Sequence, residues 1–252
     1  MRGTTTSIVW VSLMSVCLTA PAAAQEALSR RERAWVEHLG ERFGAVTHAE
    51  RSTLEGDART RATGLLVRAG ATSIARYKFA SAEQAQQEAV NLLEDPEGGR
   101  RRVVGEVRGD QVLLLEGAVA RDPARAREAL DAAWQGLPAP GQPDATFALL
   151  GPHDVALTTR LKSGPLRQLV DEILAETRAL QGQPGVRFAS PNAATVALTN
   201  GFESGFHADD DGASLWTAMG ADRARAAQAF VEQVAPARTQ GARGVLSRLF
   251  GG

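Results

Sequence analysis

The fold is decided by residues 103–117, which read VVGEVRGDQVLLLEG. Two runs rich in valine and leucine flank Gly109-Asp110, a pair typical of the two-residue turns that close tight hairpins. The stretch therefore predicts two antiparallel strands, Val103–Val107 and Val112–Leu115. The neighbouring segments are expected to extend this hairpin into a sheet or to pack on it.

The segments on either side of the hairpin form a regular order. From Thr72, apolar and polar residues alternate with a period of two, which predicts a strand. Ser81 with Gln84 can cap the helix that follows it. Asp122-Pro123 begins a second helix, and Thr146–Leu150 reads as a strand. Strand, helix, strand, strand, helix, strand is the ferredoxin-like (split βαβ) order, which predicts both helices on one face of a four-stranded antiparallel sheet.

A similar order follows from His153. Val155–Leu161 alternates as a strand, and Gly164-Pro165 opens a strongly amphipathic helix. The later elements are predicted at 186–189 (strand), 195–199 (strand), 201–212 (polar loop), 215–219 (strand) and 222–235 (helix). The sequence thus predicts an α+β protein with two ferredoxin-like modules with antiparallel sheets, at residues 71–151 and 152–236.

Residues 25–70 are predicted to form an N-terminal helical segment. Apolar residues recur at helical spacing at Leu28, Trp35, Leu39 and Phe43. Thr47 and Glu50 fit a capping box, which predicts a second helix with an apolar stripe from Leu54 to Leu66.

Residues 1–24 have the pattern of a secretory signal peptide. Arg2 gives a positive start, Ile8–Leu18 is an apolar core, and Ala22-Ala23-Ala24 is a small-residue cleavage site before Gln25. An uncleaved anchor, or lipidation at Cys17, is the alternative. Cleavage predicts an exported protein, periplasmic or extracellular, with no transmembrane segment left.

Composition excludes several classes of protein. The only cysteine, Cys17, lies in the signal peptide, so the mature chain has no thiol for disulfides, nucleophilic catalysis or metal thiolates. The 28 basic and 29 acidic residues nearly balance, so the chain has no net positive charge to attract nucleic acid. A core of helices and sheet must therefore stabilise the fold.

The loop from Gly201 to Gly212 holds the candidate site. Four side chains in it are potential ligands of a divalent metal: Glu203, His207, Asp209 and Asp211. Their spacing departs from the twelve-residue calcium loop, and aspartate with glycine is also ordinary turn chemistry. No other cofactor is predicted.

One segment resembles a known family. The run Val112–Gly117, followed by Ala126 and Ala129-Leu130, resembles the end of sporulation-related repeat domains. That resemblance implies binding to glycan strands of the bacterial wall, and the family shares the split βαβ order. The aromatic residue and the proline expected near the family's glycine are missing around Gly117.

The chain lacks phosphate-loop, dinucleotide and His-Glu-x-x-His motifs. The sequence therefore predicts a non-enzymatic exported protein that binds a partner, an envelope protein or glycan. One alternative is a metal-assisted hydrolase with its site at 201–212. The other is an envelope assembly or structural factor docked by its flexible C-terminal tail, residues 237–252, which carries three arginines and four large apolar residues.

Overall fold

The computed structural model describes residues 28–55, 61–94, 102–137 and 141–235. The predicted signal peptide and the C-terminal tail lie outside these residues. The helices are α1 (Arg30–Phe43), α2 (Ala82–Glu94), α3 (Pro123–Trp134), α4 (Pro165–Ala179) and α5 (Ala221–Val234), with a 3₁₀ turn at Ala118–Arg121. The strands are β1 (Val46–Glu55), β2 (Arg61–Ala69), β3 (Thr72–Lys78), β4 (Val103–Arg108), β5 (Gln111–Gly117), β6 (Ala145–Gly151), β7 (Asp154–Thr159), β8 (Val186–Ser190), β9 (Ala193–Ala197), β10 (Phe202–Asp209) and β11 (Gly212–Met219).

The strands of the described residues join in one 11-stranded sheet, in the order β1-β2-β3-β5-β4-β6-β7-β11-β10-β9-β8. Each neighbouring pair is antiparallel. The α+β class is therefore confirmed. The boundary predicted at residues 151–152 falls in the turn between β6 and β7, and the sheet continues across it.

The helices divide between the two sides of the sheet. α2 and α4 pack together on one side, the two-helix side, over a core that includes Phe147 and Leu157. α1, α3 and α5 cover the other, the three-helix side, where Leu113 and Leu115 point. Val112 and Leu114 point to the two-helix side, as the period of two requires.

This arrangement differs from the ferredoxin-like prediction, which placed α2 and α3 on one face. β6 pairs with β4, so both crossovers, β3 to β4 and β5 to β6, step the same way along the sheet. The two crossovers start from strands of opposite direction. Because such crossovers are right-handed, opposite strand directions send α2 and α3 to opposite sides.

Within residues 25–70, predicted as a helical segment, the described residues hold one helix, α1, and two strands in place of the predicted second helix. α1 begins with a capping box, in which Ser29 and Glu32 each bond to the other's backbone N–H. The predicted second helix is instead the β1–β2 hairpin. Ala49, Leu65 and Val67 lie on the three-helix side of that hairpin and are buried with α1. Their spacing also fits the period of two of a strand.

Several other local predictions are confirmed. β4 and β5 meet at the Gly109-Asp110 turn, and Gly109 has a φ of 55°, which favours glycine. Asp122 caps α3 by accepting the backbone N–H of Arg125 at 3.0 Å. Pro165 stands in the first turn of α4.

The polar loop predicted at 201–212 is wrong. Residues 202–209 form β10, which pairs with both β9 and β11, and Asp210-Asp211 is the turn to β11. Phe206 and Ala208 point into the two-helix side, so only every second residue of the strand is apolar. His207, between them, and Asp209 lie on the other side of the sheet.

No helix in the described segments is both long enough and apolar enough to cross a bilayer.

Candidate functional site

A row of buried polar side chains crosses five adjacent strands on the three-helix side. Cross-strand pairing places each directly opposite the next. In order along the row they are Glu106, Thr146, Thr158, Ser214 and His207, and all are less than a tenth exposed. Buried polar groups normally have hydrogen-bond partners. The two ends of this row differ in whether their polar atoms have such partners.

At the Glu106 end the polar atoms are paired. Glu106 is fully buried, and its carboxylate accepts from Arg108 at 2.8 and 3.1 Å and from Arg127. Thr146 donates to it at 3.4 Å. Arg127 also donates to the carbonyl oxygen of Val234 at 3.0 Å. This network joins β4, α3 and the end of α5, which gives it a structural role.

The His207 end is different. His207 is 4 % exposed and Ser214 8 %, yet neither the Nδ1 of His207 nor the Oγ of Ser214 has a hydrogen-bond partner among the described residues. The Nε2 of His207 lies 3.2 Å from Oδ2 of Asp209. The structure therefore brings together two residues of the predicted site, His207 and Asp209, and adds Ser214.

The other two predicted site residues lie elsewhere. Glu203 is on the same strand as His207 but four positions away, roughly 13 Å along an extended chain. Asp211 is exposed in the turn. The Oδ1 of Asp209 accepts the backbone N–H groups of Asp211 and Gly212, at 2.8 and 3.1 Å, which is ordinary turn chemistry.

A divalent metal at this hairpin stays a prediction. Among the described residues, no three histidine or acidic side chains come together as potential metal ligands. Of the four predicted ligands, only His207 and Asp209 are in contact.

Beside the His207 end, part of the three-helix side is not covered by any helix of the described segments. α5 packs mainly on β6, β7 and β11, while α4 packs on the opposite side. We call the remaining surface the open face; it consists of the outward side chains of β8, β9 and the start of β10, which are Arg187, Thr195, Ala197 and Glu203. Arg187 and Ala197 are exposed, and the other two are partly exposed.

The inner border of the open face is aromatic. The indole of Trp216 lies against Gly205, directly opposite it on β10, and a Cβ at position 205 would overlap the ring. Glycine is required there because the ring occupies the space of a side chain. The open face thus runs from Arg187 at the sheet edge to Trp216 beneath α5.

A cavity of about 220 Å³ lies on the two-helix side, between α4 and the hairpin ends at Asn192 and Asp210. Two arginines of α4 line it. Arg167 donates to the carbonyl oxygen of Asp209 at 2.7 Å, and Arg178 donates to that of Pro191 at 2.7 Å. These guanidinium groups hold the hairpin ends against α4, so their contacts are explained by packing.

Glu88 of α2 is a buried carboxyl outside these sites, and it gives a pH prediction. Burial raises its pKa above the usual 4.5, and a bond from Asn91 offsets this only in part. The folded state therefore binds the proton more tightly than the unfolded state, and stability falls as pH rises from 4.5 through the raised pKa. We expect Glu88→Gln to raise the melting temperature at pH 7 and to have little effect at pH 4.

The measurement is thermal unfolding at both pH values. The exposed Glu83→Gln on the same helix is the control, and should change stability by less than about 0.5 kcal/mol at either pH. An equal gain from Glu88→Gln at both pH values would contradict a pH-linked origin.

Sequence reasoning missed Ser214 and Thr158 because each is an isolated hydroxyl in an ordinary strand. Only the register, which pairs Ser214 with both His207 and Thr158, gives them a common position. The hydroxyl residues of β7 and β11 have no regular spacing that would mark this row in the sequence.

Comparison with known proteins adds nothing to this description: no family model, no curated protein and no solved structure matches the chain.

Proposed function

We propose that the protein is exported and acts as a binding protein of the bacterial envelope, with its ligand on the open face. The observation that supports this is the three-stranded surface that α5 leaves uncovered next to Trp216. Antiparallel sheets commonly keep one face free, but here most of both faces is covered by helices. An uncovered remainder is the natural place for a ligand.

The chemistry of the open face favours a glycan over a protein partner. Arg187, Thr195 and Glu203 offer hydrogen-bond donors and acceptors, and small residues, Ala197 and Gly205, lie between them. Protein interfaces are centred on large apolar and aromatic anchors, which this face does not expose. A ligand rich in hydroxyl groups matches the surface better.

The test is co-sedimentation of the purified mature protein with peptidoglycan sacculi. We expect the double variant Arg187→Ala/Glu203→Ala to lose at least about tenfold in affinity, since hydrogen bonds to charged groups contribute about 1.5–3 kcal/mol each. The matched control is Glu50→Ala/Arg68→Ala, which removes an exposed acid and an exposed arginine from β1 and β2.

Three results would count against the proposal. The wild type does not sediment with sacculi, the two double variants bind equally, or the protein is captured only by an envelope protein. Export is tested separately by sequencing the mature N-terminus, where Gln25 is expected.

A further inference from the structure

Ser214 and His207 face each other across β10 and β11 at the end of the buried polar row. The register pairs them directly, so their Cβ atoms are about 4.5–5.5 Å apart. Each holds one buried polar atom without a hydrogen-bond partner in the described part of the chain, Oγ of Ser214 and Nδ1 of His207. Leaving such an atom unsatisfied costs about 1–3 kcal/mol, so two in one cross-strand pair require an explanation.

Asp209 determines how the imidazole is protonated. Its Oδ2 lies 3.2 Å from Nε2 of His207, and a carboxylate there favours the tautomer with the proton on Nε2. Nδ1 then carries the basic lone pair. The carboxylate is itself fixed, because Oδ1 accepts two backbone N–H groups of the turn.

We propose that Ser214 is a nucleophile, that His207 is its general base and that Asp209 positions the imidazole. A hydroxyl without an acceptor, a basic nitrogen without a donor and an orienting carboxylate are the parts of a serine hydrolytic site, which is defined by geometry rather than by sequence motif. Oγ of Ser214 and Nδ1 of His207 are both buried and are not hydrogen-bonded to each other in this structure. The proposal therefore requires the residues around the pair to move apart, so that an ester reaches Oγ, and the contact between nucleophile and base to tighten when substrate binds.

The substrate class follows from charge. Asp209 places a negative charge next to the imidazole and no described cation contacts the Ser214–His207 pair, so a neutral acyl ester fits better than a phosphate or sulfate ester. The Oγ of Ser214 attacks the ester carbonyl carbon, and its proton passes to Nδ1. The carbon–oxygen bond to the alcohol breaks, and the alcohol leaves with that proton. Water then releases the acid from Ser214 by the same route.

The test uses a fluorophosphonate probe on the full mature protein, followed by mass spectrometry. The Oγ–phosphorus bond forms, the phosphorus–fluorine bond breaks, and the proton goes to His207 as fluoride leaves. We expect one adduct, on Ser214, that is absent in Ser214→Ala. His207→Gln should label at least about 100-fold more slowly, since general base catalysis contributes that much.

The matched control is Ser204→Ala. Ser204 is on the same strand as His207, but its hydroxyl donates to Thr217 at 2.8 Å, so its loss should leave labelling unchanged. Asp209→Asn should shift the pH profile of labelling, an effect that a purely structural role would not produce. Circular dichroism checks that each variant is folded.

Hydrolysis of p-nitrophenyl acetate gives a second readout, and it should disappear in Ser214→Ala. No adduct on the wild type, an adduct that persists in Ser214→Ala, or unchanged labelling of folded His207→Gln would overturn the proposal. Labelling of Ser214 is measured without sacculi, so its outcome is separate from that of the glycan test.

Discussion

Replacing Glu106 with glutamine is expected to lower the free energy of unfolding by about 3–5 kcal/mol, because it leaves the guanidinium group of Arg108 buried without a counter-ion and that of Arg127 with only the exposed Asp131. Glu106 is 0 % exposed and contacts both. Burial acts to lower the pKa of Arg127, but Glu106 and Asp131 outweigh it and raise that pKa. An arginine side chain keeps its proton in folded proteins, so in the variant Arg127 cannot avoid the cost by becoming neutral.

Asp131→Asn is the matched control, because it removes a different carboxylate from the same arginine. Asp131 is an i,i+4 partner whose side chain is 56 % exposed, and such surface pairs contribute about 0–1 kcal/mol. Urea unfolding monitored by circular dichroism measures both variants. Equal losses would mean that water reaches Glu106 and that the network behaves like a surface pair.

The second large effect is expected at Trp35, which fastens α1 to the rest of the molecule. Its indole is 1 % exposed, and Nε1 donates to the carbonyl oxygen of Ala133 in α3 at 2.8 Å. Trp35→Ala should cost about 3–5 kcal/mol, the usual loss for a buried tryptophan. Trp35→Phe keeps most of the apolar contact and should cost clearly less.

His38 provides the control on the same helix. Its Nε2 lies 2.9 Å from the carbonyl oxygen of Ala132, at a partly buried position. His38→Ala removes that polar contact with little apolar volume, so about 0.5–1.5 kcal/mol is expected. If Trp35→Ala cost no more than His38→Ala, α1 would be a peripheral helix that contributes little to the core.

Local signals in the sequence predict elements well where capping and turn residues agree with the hydrophobic period. The Gly109-Asp110 turn, the Asp122 cap and the Gly164-Pro165 start all correspond to observed boundaries. Each depends on the backbone preferences of a few neighbouring residues, which do not change with the tertiary structure.

Prediction failed where two periods fit the same residues. Ala62 and Leu65 suit a helical stripe, but tertiary packing selects the strand, in which Leu65 and Val67 lie beneath α1. At 201–212 the polar side chains suggested a loop, because a strand whose second face is polar and buried has little apolar content. His207 on that face lies opposite Ser214 of β11, and this pairing comes from strand register, which the sequence does not reveal.

The strand order was equally inaccessible from local signals. A split βαβ order of elements is compatible with β6 beside β3 or beside β4, and these choices place α3 on different sides. The choice depends on non-local contacts, such as Phe147 packed against Gly105 across the β4–β6 pair.

The pairing of β7 with β11 has a consequence for how the chain folds during synthesis. Most neighbouring strands are close in sequence, but residues 155–159 must wait for residues 213–217 before the outer edge of β7 is paired. All of β7 is buried in the finished sheet. While a nascent chain still ends before β11, that strand presents an apolar, unpaired edge of the kind that drives aggregation. A chain truncated before β11 therefore lacks the partner of β7 and leaves this edge open to pairing with other chains.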